Sequence, residues 1–189
     1  MATEYDRIPE IEHECDVFTT HRIEVGVIGN DGVLQMIAIV NNDGTTIRAK
    51  RKPYLMIPYH EGGKLKFARK KEVVIPARRF LERTVTRHES RWQSETMQFF
   101  AHIADEDHIT GSAMGELNKL GKLITEQMKN EITRFKVPHN APLTVAEKGK
   151  DDPLVDTGAL RDAIDYRIVS AICPLASVPA SASAPISPS

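Results

Sequence analysis

Hydrophobic positions recur with period two over residues 21–28. Ile23, Val25 and Val27 share one face, and Arg22, Glu24 and Gly26 the other, which is the pattern of a half-buried strand. Gly29-Asn30-Asp31-Gly32 breaks it. Residues 33–40 (VLQMIAIV) are almost wholly apolar. Val33, Met36, Ile37 and Val40 fit helical spacing, while the shortness of the run also suits a buried strand, so periodicity leaves both open. Asn41-Asn42-Asp43-Gly44 reads as a turn, and Thr45-Thr46-Ile47 leads into a basic stretch. Residues 54–59 (YLMIPY) and 64–67 are the expected arms of a β-hairpin around Glu61-Gly62-Gly63, with Pro58 marking an end or an edge. Residues 73–75 are extended and Pro76 closes them, because the residue before a proline is pushed to extended geometry.

Helical periods follow. Residues 76–85 are expected to form a helix with Pro76 in its first turn. Residues 89–104 carry a less regular stripe of Trp92, Met97, Phe99, Phe100 and Ile103. The strongest pattern is residues 112–135, where Leu117, Leu120, Ile124, Met128, Ile132 and Phe135 line one side and Lys119, Lys122, Lys129 and Arg134 fall mostly between them. Gly115 and Gly121 each weaken that helix by roughly 1 kcal/mol relative to Ala, which predicts close packing at those turns. Pro138 ends it; residues 140–144 open a short segment and residues 148–153 form a loop. Thr157 is placed to cap a helix over residues 158–164, and residues 165–170 form a last strand with Tyr166 and Ile168 on one face.

Taken in order, these elements predict an α+β fold: a small, mainly antiparallel sheet with a long amphipathic helix packed on one face, plus a basic β-hairpin. Residues 20–172 are expected to be a single domain, preceded by an irregular N-terminal arm (1–19) whose scattered acids and Pro9 give no clear period. Residues 173–189, rich in Pro, Ala and Ser and free of charge, are expected to be a flexible tail, because they hold too little apolar surface to offset their ordering entropy.

Composition adds mostly exclusions. With 189 residues and a formal net charge of −1, the chain has no overall basic signature of a nucleic-acid binder. No apolar run reaches the ~18 residues of a membrane helix, and no secretory signal opens the chain, so no membrane partner is expected. Cys15 and Cys173 read as reduced thiols, with a disulfide after assembly as the alternative. The seven histidines are scattered without paired-ligand spacing, and neither a phosphate loop nor a GxSxG serine is present. No catalytic, cofactor or metal residue is therefore assigned, and none of these groups is expected.

The local charge pattern is more informative. Arg48, Lys50, Arg51 and Lys52 precede the hairpin; Lys64, Lys66, Arg69, Lys70 and Lys71 lie on and after its return strand. If the strands pair, both clusters are expected near the same open end as a positive projection. Three uses are open: a solvated surface, contact with an acidic rim of a neighbouring protein, or sequence-independent, salt-sensitive contact with DNA. Arg78 and Arg79 are expected to face outward beside an inward Phe80 and Leu81, either solvated or paired with a neighbour's acids, which arginine's planar fork suits. Asp156-Thr157-Gly158 reads as a helix start. The same string occurs in aspartic proteases, which need a second carboxylate site, and no second Asp-Thr-Gly or Asp-Ser-Gly is present.

Three strings in this order carry a family resemblance. They are Val25-Gly26-Val27-Ile28-Gly29 with residues 37–47; Val74-Ile75-Pro76-Ala77-Arg78-Arg79-Phe80-Leu81; and Asn140-Ala141-Pro142-Leu143-Thr144 followed by Pro153-Leu154-Val155-Asp156-Thr157-Gly158-Ala159-Leu160-Arg161 and the strand after it. Together they resemble the neck, tail-completion and virion-morphogenesis proteins of tailed bacteriophages over roughly residues 20–170. The third string is the most specific. The chain departs from the pattern at Asn42-Asp43 and in its longer basic hairpin. The resemblance favours a helix over residues 33–40. It implies a structural virion protein forming a ring at the head–tail neck or tail end, assembled in the host cytoplasm, in tail completion or head–tail joining, with a tail terminator as the neighbouring role. Its implied partners are copies of itself, with a hexamer as the leading form and the copy number open. Phage connector and tail proteins are further implied partners, with nonspecific contact to channel DNA as an option.

Overall fold

A computed structural model describes residues 6–105 and 111–170. The flexible-tail expectation for residues 173–189, and Cys173 with it, lies outside the described residues. The chain is α+β, as expected. It runs α1 (Ile8–Thr20), β1 (His21–Val27), α2 (Gly32–Asp43), β2 (Thr45–Arg48), β3 (Leu55–Glu61), β4 (Lys64–Lys70), β5 (Glu72–Ile75), α3 (Phe80–Asp105), α4 (Ala113–Arg134), α5 (Pro142–Lys148), α6 (Ala159–Asp162) and β6 (Ile164–Ser170).

Among the described residues the strands form three separate antiparallel ribbons of two, β1–β6, β2–β5 and β3–β4, rather than one sheet. β1 and β6 pair along their whole length, from His21 opposite Ser170 to Val27 opposite Ile164. The long helix α4 packs on this ribbon and also against α3. Its N-terminus is capped by Ser112, whose Oγ accepts the Gly115 N–H at 3.1 Å. The buried stripe includes the expected Leu117, Met128 and Ile132, with Phe135 just beyond the helix end. Gly121 sits where Tyr166 of β6 presses on the helix, and a Cβ there would overlap the ring. Gly115 meets only the hydroxyl of its own cap, so the expected close packing holds at one glycine of the two.

Phe80, Met128, Ile132, Phe135, Leu154, Leu160 and Ile164 make the main core, with Val25, Val27 and Ala38 packed against it. A second cluster lies at the other end of α3 and α4. There Cys15, Val17 and Phe18 of α1 cover Phe99, Ile103 and Ala113, with the Phe18 and Phe99 rings 5.3 Å apart. Among the described residues, folded structure therefore reaches back at least to Ile8 rather than starting near Thr20, and residues 8–19 of the expected arm are helix. Asp6 accepts the Ile8 N–H at 3.0 Å and Pro9 occupies the first turn, a favourable helix start. Cys15 is a free, half-buried thiol.

Residues 33–40 are helical, and α2 runs on through Asn41, Asn42 and Asp43, where a turn was expected. Gly44 ends it at φ 72°, its N–H bonded to the Val40 carbonyl and its Cα face against the Ala77 backbone, leaving no room for a side chain. The helix expected from Pro76 starts only at Phe80 and then continues unbroken to Asp105. Arg79 takes a left-handed φ of 45°, and Asn42 Oδ1 accepts the Leu81 N–H at 3.1 Å, so a distant side chain satisfies the first turn.

Candidate interaction surfaces

The β3–β4 hairpin positions most of the basic residues. Its register sets Leu55 opposite Lys70 and Glu61 opposite Lys64. Arg69, Lys70 and Lys71 therefore lie at the open base, next to the 49–54 connection, and the Ala49 N–H bonds to the Lys71 carbonyl at 3.2 Å. Lys64 and Lys66 sit at the opposite, turn end of the hairpin. The two clusters thus meet at the base only in part. Arg48 is paired with Glu72 at 3.1 Å across β2–β5, and Lys66 with Glu61. Lys50, Arg51, Lys52, Lys64, Arg69, Lys70 and Lys71 are exposed and form no ion pair among the described residues. Residues 48–71 hold nine Lys and Arg against one carboxylate, Glu61.

The hairpin is joined to the helical body through His60. Glu147 of α5 accepts its backbone N–H at 2.7 Å and contacts its ring Nδ1 at 2.6 Å. The backbone N–H, and then the ring, hold the Glu147 carboxyl below its ordinary range. Cross-strand pairing puts Met56 beside Arg69, Pro58 beside Phe67 and His60 beside Leu65 on one face. Met56, Leu65 and Phe67 are each about half exposed there, so the face is both apolar and basic.

The two arginines of the Pro76–Phe80 corner part company. Arg79 is exposed, 3.8 Å from Glu82. Arg78, expected outside, is buried. Its guanidinium donates to Asn41 and, at 3.1 Å, to Asn140 Oδ1, while its N–H bonds to the Asn41 carbonyl at 3.0 Å. Burial lowers its pKa, partly opposed by Asp151. A local pattern treats the two neighbours alike; what separates them is that Arg78 lies between the end of α2 and the Asn140 loop.

The Asp156-Thr157-Gly158 string does start a helix, shifted by one residue. Gly158, at φ 93°, is the N-cap, and Thr157 Oγ1 accepts the Ala159 N–H at 3.3 Å. Asp156 stands in solvent, 3.9 Å from Lys148 Nζ. Residues 153–160 pack beside α2, with a crevice of about 210 Å³ between Leu34, Ile37 and Leu154, Leu160. On its other side α2 borders a crevice of about 360 Å³ lined by Val25, Ala38, Ile39, Phe80, Leu81 and Ile164. Val33, Met36 and Ile39 of α2 remain largely exposed, Met36 at 57 %. The exposure of α2 is not evident from its residues alone, although a run apolar all round its helix signals a helix meant for burial. Among the described residues no group of three or more His, Cys, Asp or Glu could hold a metal ion, and no helix is long and apolar enough to cross a membrane.

Compared with protein-family models, curated proteins and solved structures, the chain matches none.

Proposed function

We propose that this chain is a structural virion protein of a tailed bacteriophage, one subunit of a ring at the head–tail neck or the tail end that completes the tail or joins it to the head. The observation that carries this reading is the Pro153–Arg161 string, which resembles the neck and tail-completion proteins. It packs beside α2, whose outer residues Val33, Met36 and Ile39 are left to water. Together with Met56, Leu65 and Phe67 of the hairpin, they give one subunit two exposed apolar areas. Such patches mark contact surfaces, and each Å² covered contributes about 25 cal/mol. A ring supplies that cover by repeating one contact around an axis.

Cryo-electron microscopy of mature particles, with antibody labelling of the chain, tests the reading. Density and label at the head–tail junction or tail end are expected, and a neck map would separate a completion ring from a terminator ring. Absence of the chain from purified virions overturns the proposal.

A second reading, a nucleic-acid-binding module, draws on the seven hairpin-region cations without an ion pair. It requires salt-dependent binding to DNA of any sequence. No binding at low salt removes it and leaves the ring reading intact.

A further inference from the structure

We propose that copies of this chain bind head to tail, the basic base of the β3–β4 hairpin of one copy docking on the acidic outer face of α1 of the next. The inference rests on the ring reading and specifies its subunit contact.

The first observation is a division of charge. α1 carries Glu10, Glu12, Glu14 and Asp16 and no Lys or Arg. Glu14 turns inward and accepts the Ala113 N–H, while Glu12 and Asp16, one turn apart, point to solvent beside an exposed Ile8. The basic counterpart is Arg51, Lys52, Arg69, Lys70 and Lys71, all exposed.

The second observation is where the two surfaces sit. α1 is fixed at the end where α3 finishes and α4 begins: its Phe18 packs on Phe99 and Phe100, and Arg7 donates to the Ile103 carbonyl at 2.9 Å. The basic surface is fixed at the opposite end. Gly44 packs on Ala77 just before α3, and β2 and β5 run from there to the base of the hairpin, whose other, turn end is held by the contact of His60 with Glu147 of α5. At 1.5 Å per residue, α3 and α4 are ~39 and ~33 Å long, several times the ~8 Å over which salt screens exposed charges. The two surfaces cannot neutralise each other within one chain. Between copies they can, and because they are different patches at opposite ends, the contact repeats from copy to copy and closes a ring if its rotation closes.

The third observation selects a protein over a bare polyanion. The hairpin face that bears Arg69 also bears Met56 and Phe67. Phosphate contacts leave such side chains in water, whereas Ile8 and Pro9 beside the acids of α1 offer apolar cover.

The test uses the full chain, with oligomer size read by light scattering and native mass spectrometry across protein and salt concentration. Glu12→Lys/Asp16→Lys and, separately, Arg69→Glu/Lys70→Glu are expected to weaken self-association by about tenfold or more. The four changes combined in one chain restore complementary charge and are expected to recover assembly. Circular dichroism and Trp92 fluorescence check folding; should a reversal unfold the chain, Glu12→Gln/Asp16→Asn replaces it with the same expected loss. Rings that persist in both reversal variants, or no recovery in the combined one, overturn the head-to-tail contact while the ring reading stands. A wild-type chain that stays monomeric at all concentrations overturns both. Loss of DNA binding in Arg69→Glu/Lys70→Glu with assembly untouched assigns the patch to DNA and overturns the contact.

Discussion

The ring of Tyr166, on β6, packs onto Gly121 of α4, and its hydroxyl donates to Asn118 Oδ1 at 3.1 Å. Here the β1–β6 ribbon presses directly on the long helix. Gly121→Ala would gain about 1 kcal/mol in helix propensity but force the ring away, which costs ~1–3 kcal/mol. A net destabilisation is expected, while Gly115→Ala, which meets only the Ser112 hydroxyl, should cost less. Urea unfolding followed through Trp92, the sole tryptophan, measures both, and equal effects would contradict the packing argument.

Glu131 is buried on α4, with Arg83 at 3.1 Å and Arg87 at 2.7 Å reaching it from α3. The arginines are partly exposed and the carboxylate is not. Glu131→Gln leaves two cations able to turn to water and should cost ~1–3 kcal/mol. Arg83→Ala/Arg87→Ala strands a buried anion and should cost ~3–5 kcal/mol. The order of the two midpoints in a denaturant series is the test; the reverse order would mean that the carboxylate is better hydrated than its burial indicates.

Arg78 ties the end of α2 to the Asn140 loop through two side-chain amides. Lysine cannot span both acceptors with a planar fork. Arg78→Lys is expected to destabilise by ~1–3 kcal/mol and to speed amide exchange at Arg79 and Leu81, whose N–H groups bond to Asn42. Unchanged exchange at those two amides would show that the corner holds without the guanidinium.

Acid should loosen the hairpin from α5. The Glu147 carboxyl is held below its ordinary value by the His60 N–H and ring. A depressed folded value means that the contribution is present above the ordinary carboxylate range and is lost as pH falls through the depressed one. Asp151, lowered first by the Asn140 N–H and further by His139, follows the same sign. An NMR titration should show the Glu147 carboxyl and the His60 amide shifting together below the ordinary glutamate range. A midpoint at or above that range would exclude the contact in solution.

The elements with a strong local period were legible. β1, the basic hairpin and α4 stand where Ile23/Val25/Val27, the Gly62-Gly63 turn and the Leu117–Phe135 stripe put them. Features decided by distant partners were not. α1 is only half covered, so its Ile11, Cys15 and Phe18 make a stripe too short to stand out among the acids. The start of α3 waits on Asn42, 38 residues before Phe80, and the burial of Arg78 on Asn140. His21 pairing with Ser170 could not be read from either strand alone, nor could the division into three ribbons. The candidate surfaces were legible as charge; their apolar half was not, because exposure belongs to the fold.

Each described strand has a single neighbour. Every ribbon therefore keeps two open edges, and an open edge is a template on which any stray extended chain can stick. Along β4, Lys64, Lys66, Arg69 and Lys70 ring that template with positive charge, which two identical hairpins cannot share without repulsion. These cations thus guard the chain against stacking on its own kind by the backbone, and a version stripped of them would be stickier at high protein concentration.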